Sequence, residues 1–160
     1  MIKTRKTVRE MAMLYLILLG ALIAGDQLLK YWTVTHLALG ESAPLIPHIV
    51  RLTRLHNYGA AWSSLSGKTV LLLKKTVRHP LGVTACVLIL GGGIGNMIDR
   101  IFRGYVVDMF DLLFMSYPIF NLADCFVVVG AILGAVYYLW LYEKYDKKEK
   151  PHADDADGNN

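Results

Sequence analysis

Apolar residues in this chain fall into long runs, and the runs set its organisation. The first extends from Met11 to about Trp32, interrupted near its far end by Asp26 and Lys30. A helix rises about 1.5 Å per residue, so about 20 mostly apolar residues cross a bilayer core, and this run predicts a spanning helix. Asp26 and Lys30 stand four apart, share a helix face and can pair. From Thr33 to Asn57 the chain carries Gly40, Glu41, Pro44 and Pro47 and is too broken to span. Within it, IVRLTRL between His48 and His56 alternates apolar with polar, which predicts a short strand at the membrane surface. The next run, Tyr58 to Leu73, is weak, because Ser63, Ser64, Ser66, Gly67 and Lys68 lie inside it. Pro80 to Ile98 is apolar and glycine-rich and predicts a third segment. A polar stretch follows from Asp99 to Pro118, and a fourth segment runs from Ile119 to Tyr142. The charged tail from Glu143 ends in PHADDADGNN and is expected to be disordered.

Composition agrees with a membrane protein. Hydrophobic residues make up 54% of the 160, and mean hydropathy is +0.39. The net charge of +4 suggests nucleic acid only until its positions are read. Lys3, Arg5, Lys6 and Arg9 precede the first run, Lys74, Lys75 and Arg78 lie mid-chain, and Lys144, Lys147, Lys148 and Lys150 follow the last run. Basic residues at the ends of apolar helices mark the cytoplasmic side. Both termini and the Lys74–Arg78 loop are then inside, and Tyr58–Leu73 must cross despite its poor hydropathy, as a short or tilted helix accommodated by bilayer thinning. The basic start followed by an apolar run resembles a signal peptide, but no A-x-A site follows, so it reads as an uncleaved helix. The expected fold is all-α and transmembrane: a four-helix polytopic membrane protein with a small β-like element on the outer side. One membrane-embedded domain covers residues 1–145, with a cytoplasmic tail over 146–160. Cys86 and Cys125 lie in apolar stretches and read as small hydrophobes, not as a disulfide or zinc site.

The chemistry gathers at one membrane face. Under this topology Asp26, Lys30, Asn57, Asp99, Asp108 and Asp124 all fall toward the outer side. Asn96 and Asp99 are three apart at the end of the third segment, as are Asn121 and Asp124 at the start of the fourth, so each pair shares a helix face. Two carboxylates in one site cannot both ionise easily, so one pKa rises, and the pair can supply a general base and a general acid. Such a site could hydrolyse a peptide bond with no metal or cofactor. Spacing alone leaves Asp99 and Asp108 open as the partner of Asp124. Asp111 reads as a loop residue. Ser63, Ser64 and Ser66 have no histidine partner on their helix, and His36, His48, His56, His79 and His152 lack metal-ligand spacing. Gly91, Gly92, Gly93 and Gly95 do not form a phosphate loop and read as sites of close helix packing.

Five blocks resemble the lipoprotein signal peptidase (signal peptidase II) family. They are DQLLK at Asp26–Lys30, NYGAAW at Asn57–Trp62, GGGIGNMIDR at Gly91–Arg100, VVDMF at Val106–Phe110 and FNLAD at Phe120–Asp124. They occur in the family's order and cover most of the chain, and GNxxDR with VVD and FNxAD is a specific combination. The resemblance implies four transmembrane helices with both termini cytoplasmic, in the bacterial inner membrane. It implies an aspartic endopeptidase that cuts prolipoproteins just before a diacylglyceryl-modified cysteine. Asp108 and Asp124 would be the catalytic pair. Asp26, Lys30, Asn57, Asn96, Asp99, Arg100 and Asn121 would support the site, and the Glu41–His56 segment would form a periplasmic cradle. Partners would be lipid-modified substrates and membrane lipid, with no nucleic acid, and the chain would be a monomer. Trp62 stands where the family has Phe, and Cys125 where it has a small hydroxyl residue. The stretch from Asn57 to Gly91 is shorter than the family norm by roughly one half to three quarters of a spanning helix. That shortening keeps an alternative in view: an inactive relative, or a non-enzymatic small membrane protein. A presenilin-type protease would need a GxGD motif, which this sequence lacks.

Overall fold

The computed structural model describes residues 2–59 and 79–145. The elements, in chain order, are helix α1 (Ile2–His36), strands β1 (Ser42–Ile46) and β2 (Val50–Asn57), helix α2 (Pro80–Arg103), strand β3 (Val106–Leu112), helix α3 (Leu122–Trp140) and a terminal turn of helix α4 (Tyr142–Tyr145). Three of the described helices are long and apolar enough to cross a membrane: Arg9–His36 within α1, α2 and α3. Leu14, Leu16, Ile17, Val128, Ile132 and Leu139 are exposed along them, as expected of a surface that lipid covers. The expected span Tyr58–Leu73 and the tail 146–160 lie largely or wholly outside the described residues.

Helix ends follow capping chemistry that hydropathy does not register. α2 starts at Pro80, with the His79 ring accepting from the Leu81 N–H, and ends at Gly104, whose φ of 78° suits the left-handed cap. It therefore runs five residues past Ile98 and takes in Asp99 and Arg100, which the sequence had assigned to the following polar stretch. At the end of α1 the Arg54 guanidinium donates to the carbonyls of Val34 (3.1 Å) and Leu37 (3.0 Å), satisfying acceptors that the last turn leaves open.

The sheet is larger than expected. β1 pairs antiparallel with β2, and β2 with β3, in the order β1-β2-β3. β3 occupies the middle of the stretch read as polar, and Asp111, read as a loop residue, is a strand residue. VVDMF pairs although it does not alternate, because Val106, Val107, Asp108 and Met109 are all buried; a strand covered on both faces loses the period-2 signal. Val107, Met109, Leu37 and Leu52 form the core that ties the sheet to α1. Phe120 then bridges to Phe110, its carbonyl accepting from Met109 (3.0 Å) and Phe110 (2.8 Å). This bridge sets the start of α3 beside β3.

Small residues bring the helices together. A Cβ on Gly92 would collide with the Ala123 carbonyl, one on Gly95 would lie 2.7 Å from Asp26 Oδ2, and one on Gly130 would lie 2.9 Å from the Ala85 carbonyl. The C-terminal ends of α1 and α2 and the N-terminal end of α3 consequently meet at one end of the molecule. The opposite end is marked by Tyr15, which donates to the Pro80 carbonyl, and by the rings of His79, Tyr137 and Tyr145. The chain stands at the first end at Asn57 and reappears at the second at His79.

Candidate active site

The site grows from Lys30, a fully buried cation on α1. Its ammonium has three donors, and three acceptors surround it: Asp26 Oδ2 at 2.8 Å, Asp99 Oδ2 at 3.0 Å and Asn96 Oδ1 at 2.9 Å. A buried charge is tolerated only when paired and hydrogen-bonded, and here both carboxylates are also tied to backbone. Asp26 Oδ1 accepts from the Ala123 N–H (3.0 Å) and Asp99 Oδ2 from the Val107 N–H (3.1 Å). One ion cluster thus clamps α1, α2, β3 and α3 together. The sequence paired Asp26 with Lys30 correctly but did not place Asp99 on the same cation.

Asn96 carries the arrangement onward. Its Oδ1 accepts from Lys30 and from Asn121 Nδ2 (3.1 Å), while its Nδ2 donates to Asp124 Oδ1 at 2.8 Å. Asn121 caps α3 through a reciprocal capping box. Its Oδ1 accepts from the Asp124 N–H (3.0 Å), and its own N–H donates to Asp124 Oδ2 (3.2 Å). That leaves the Asn121 amide nitrogen to donate to Asp108 Oδ1 at 2.7 Å. From the sheet, Asn57 Nδ2 donates to Asp108 Oδ2 at 2.9 Å, its own oxygen held by the Gly59 N–H. Four carboxylate oxygens, two on Asp108 and two on Asp124, each accept one N–H.

Asp108 is buried, on a strand outside the helices long enough to span. Burial pushes its carboxyl pKa up, the Asn57 and Asn121 hydrogen bonds pull it down, and the negative charge of Asp124 raises it again. Asp124 is partly exposed. The pair therefore combines a carboxyl that resists losing its proton with a neighbour whose charge reinforces that resistance, the arrangement a general acid and base require.

Other residues sort by contact. Among the described residues, Arg100 reaches the Asn96 carbonyl, at 3.4 Å. Arg103 lies 3.4 Å from Asp99 Oδ1; it was missed because the expected helix stopped before it, although its spacing of four from Asp99 would have revealed it. Gln27, also missed, donates to Asp26 and to the Gly95 carbonyl. Among the described histidines, His36 Nδ1 lies on the Trp32 carbonyl, and His56 stacks on Tyr105 beside Arg54. Among the described residues no group of three or more His, Cys, Asp or Glu could hold a metal ion. Asp111, three residues from Asp108, pairs with Arg51 at 2.6 Å, with the Arg51 side chain 47% exposed. Asp111 is the more covered partner and also accepts from Thr53 Oγ1 at 3.4 Å, but with Arg51 half in water the pair contributes about 1 kcal/mol at most. Asp111→Ala is expected to keep cleavage within about threefold and to shift melting by no more than that contribution; a kinetic assay beside a melting curve checks both.

Comparison with known proteins places this geometry. The family model for signal peptidase (SPase) II matches residues 17–140. A lipoprotein signal peptidase of Streptococcus pyogenes serotype M2 is 46% identical over 147 residues, covering 82% of this chain and 96% of the relative. One from serotype M5 is 45% identical with the same coverage. A solved bacterial membrane enzyme, determined by the in meso method at 2.3 Å, superposes with a TM-score of 0.66 at 33% identity, over 85% of this chain and 92% of its own. A second, at 1.9 Å, gives 0.67 at 31% identity, over 79% and 92%.

Proposed function

The chain belongs to the signal peptidase II family, and from that premise we propose that Asp108 and Asp124 are its catalytic pair. It is an aspartic endopeptidase of bacterial membranes that removes signal peptides from prolipoproteins. The observation that carries the residue assignment is the convergence of the Asn57, Asn96 and Asn121 amides on these two carboxylates. Asp99, the other candidate partner left open by spacing, is instead bound to Lys30 and the Val107 N–H, a contact set suited to an anchor. The shortened stretch gave the inactive alternative its weight, and no contact of the site favours it.

In the mechanism, the two carboxyls share one proton. Asp124 takes a proton from water as the water oxygen attacks the scissile carbonyl. Asp108 donates its proton to the developing oxyanion; as the C–N bond breaks, Asp124 passes the proton it took to the leaving amine and the diol hydroxyl returns one to Asp108, which restores the pair. Cleavage falls just before the lipid-modified cysteine. The acyl chains stay in the bilayer during cleavage, which retains about 0.8 kcal/mol per buried CH₂.

The fourth crossing and the orientation belong to the same reading. The chain passes from the site end at Asn57 to the opposite end at His79 through residues 60–78, and a crossing there brings the total to four. The basic clusters then put both termini on the cytoplasmic side and the site, with the sheet as a cradle, toward the outer face of the inner membrane. The functional test is cleavage of a diacylglyceryl-modified prolipoprotein beside its unlipidated form. Cutting of the first alone supports the reading; equal cutting of both sinks the lipid requirement.

The pH dependence has a definite sign. Activity is lost on the alkaline side as Asp108 gives up its proton, at a pH above that of an ordinary aspartate, because burial raises its pKa. The Asn57 bond favours the charged form. Asn57→Ala is therefore expected to move the alkaline limb of kcat/KM to higher pH, and a pH–rate profile of the two proteins measures it; a limb moving lower contradicts the assignment of Asp108 as the acid.

A further inference from the structure

The three asparagines around the catalytic pair share a feature that pairwise contacts do not reveal. An asparagine amide can turn over, exchanging its acceptor for its donor, and its orientation follows from what its partners can do. Here each oxygen faces a group that can only donate. Asn57 Oδ1 meets the Gly59 N–H, Asn121 Oδ1 meets the Asp124 N–H, and Asn96 Oδ1 meets the Lys30 ammonium. Each nitrogen is left aimed at a catalytic carboxylate. Two of the three donors are backbone groups; only Asn96 depends on a side chain.

On that basis we infer that Lys30 is a positioning residue for the hydrolysis: by gripping the Asn96 oxygen it fixes the amide in the place from which its N–H donates to Asp124. The inference rests on the reading of Asp124 as catalytic. Asn121 also donates to Asn96 Oδ1, at 3.1 Å, but as a neutral amide, and charge-assisted bonds are roughly twice as strong. With Lys30 absent, the Asn96 oxygen keeps only the Asn121 N–H, and the amide is free to tilt, which lengthens the 2.8 Å bond from its N–H to Asp124. Asp26 and Asp99 hold the ammonium in place, so the ion cluster has a directional task besides joining helices.

The test must separate direction from charge balance. Lys30→Met alone leaves two buried carboxylates without their cation. The double variant Asp26→Asn with Lys30→Met keeps the net charge of the cluster, and the oxygen of the substituted amide can still accept from the Ala123 N–H. The double variant is expected to melt below the wild type but to fold in detergent, since Asp99 keeps Arg103 and the Val107 N–H, and to keep KM within about twofold. Its kcat should fall about 10- to 100-fold, the worth of one hydrogen bond to a charged group. Wild-type kcat in the folded double variant overturns the inference. If that variant does not fold, Asn96→Leu decides. It removes the amide between Lys30 and Asp124 without adding charge and leaves Lys30 on Asp26 and Asp99, so kcat should fall at least as far with KM little changed; full activity there means that the Asn96 N–H does nothing for Asp124 and overturns the inference. Asp124→Asn is assayed alongside. An active Asp124→Asn chain would show that the catalytic assignment itself is wrong, whereas an inactive one beside a fully active double variant removes only the role of Lys30.

Discussion

Asp108→Asn and Asp124→Asn are each expected to lower cleavage of a lipidated prolipoprotein by at least about 10³-fold, within the range for losing a general acid or base. Asparagine keeps the shape, so both chains should insert and melt near the wild type. For Asp108 the new amide carries an oxygen that still accepts from Asn121 or Asn57, but its nitrogen cannot hold the shared proton. At Asp124 the capping box survives in part, since the backbone N–H still reaches Asn121 Oδ1; what is lost is the charge that deprotonates water. The pair acts as a unit, so the double variant should be little worse than either single one. Single-turnover assays on the three proteins measure this. Two losses that multiply would mean independent roles and not one shared proton. Asp99→Asn makes a useful contrast. It weakens an anchor bonded to Lys30 and Val107, so its effect should show first in melting and only secondarily in kcat.

How far the residues announced this site depends on whether their signal was local. Asp26 with Lys30 was legible because helical spacing alone puts the two together; Asn121 and Asp124 do meet, not on a shared helix face but as the N-cap and third residue of a capping box. The three described spans were legible because hydropathy is a sum over neighbours. The meeting of Lys30 with Asp99 and Asn96, and of Asn121 with Asp108, was not, since no periodicity connects different elements; the family motif chose Asp108 where spacing could not. β3 was hidden because burial on both faces removed alternation from Val106 to Met109. The end of α2 was misplaced because Asp99, Arg100 and Arg103 lower hydropathy while remaining helical, and Gly104 ends the helix through its backbone. The one orienting cation, Lys30, read as half of an ion pair because an asparagine's direction cannot be read along the chain.

Gly92→Val should be among the most destabilising single substitutions. The Gly91–Gly93 run gives its own control, because three adjacent glycines meet three different surroundings. A side chain at Gly92 would collide with the Ala123 carbonyl and lie 2.8 Å from Val127 Cγ2; at Gly91 it would meet Leu22 at 3.2 Å; at Gly93 it would meet nothing within 4 Å. Leucine side chains can shift, whereas the Ala123 carbonyl belongs to the first turn of α3 and cannot move without α3. Overpacking costs about 1–3 kcal/mol, more when backbone must give way, and about 1 kcal/mol moves melting by roughly 2–4 °C at this size. At the upper figure of about 3 kcal/mol, Gly92→Val is expected to lower the apparent melting temperature by about 6–12 °C, and Gly93→Ala to leave it unchanged or raise it slightly, since alanine is the better helix former. Activity should follow the same order for a geometric reason. Gly92 and Asn96 are one turn apart on α2, and Ala123 adjoins Asp124 on α3, so pushing the helices apart at Gly92 lengthens the 2.8 Å bond from Asn96 to Asp124. A Gly92→Val chain with wild-type melting would mean that α2 and α3 do not approach as closely as this packing requires, and the alignment of the catalytic amides would then need another cause.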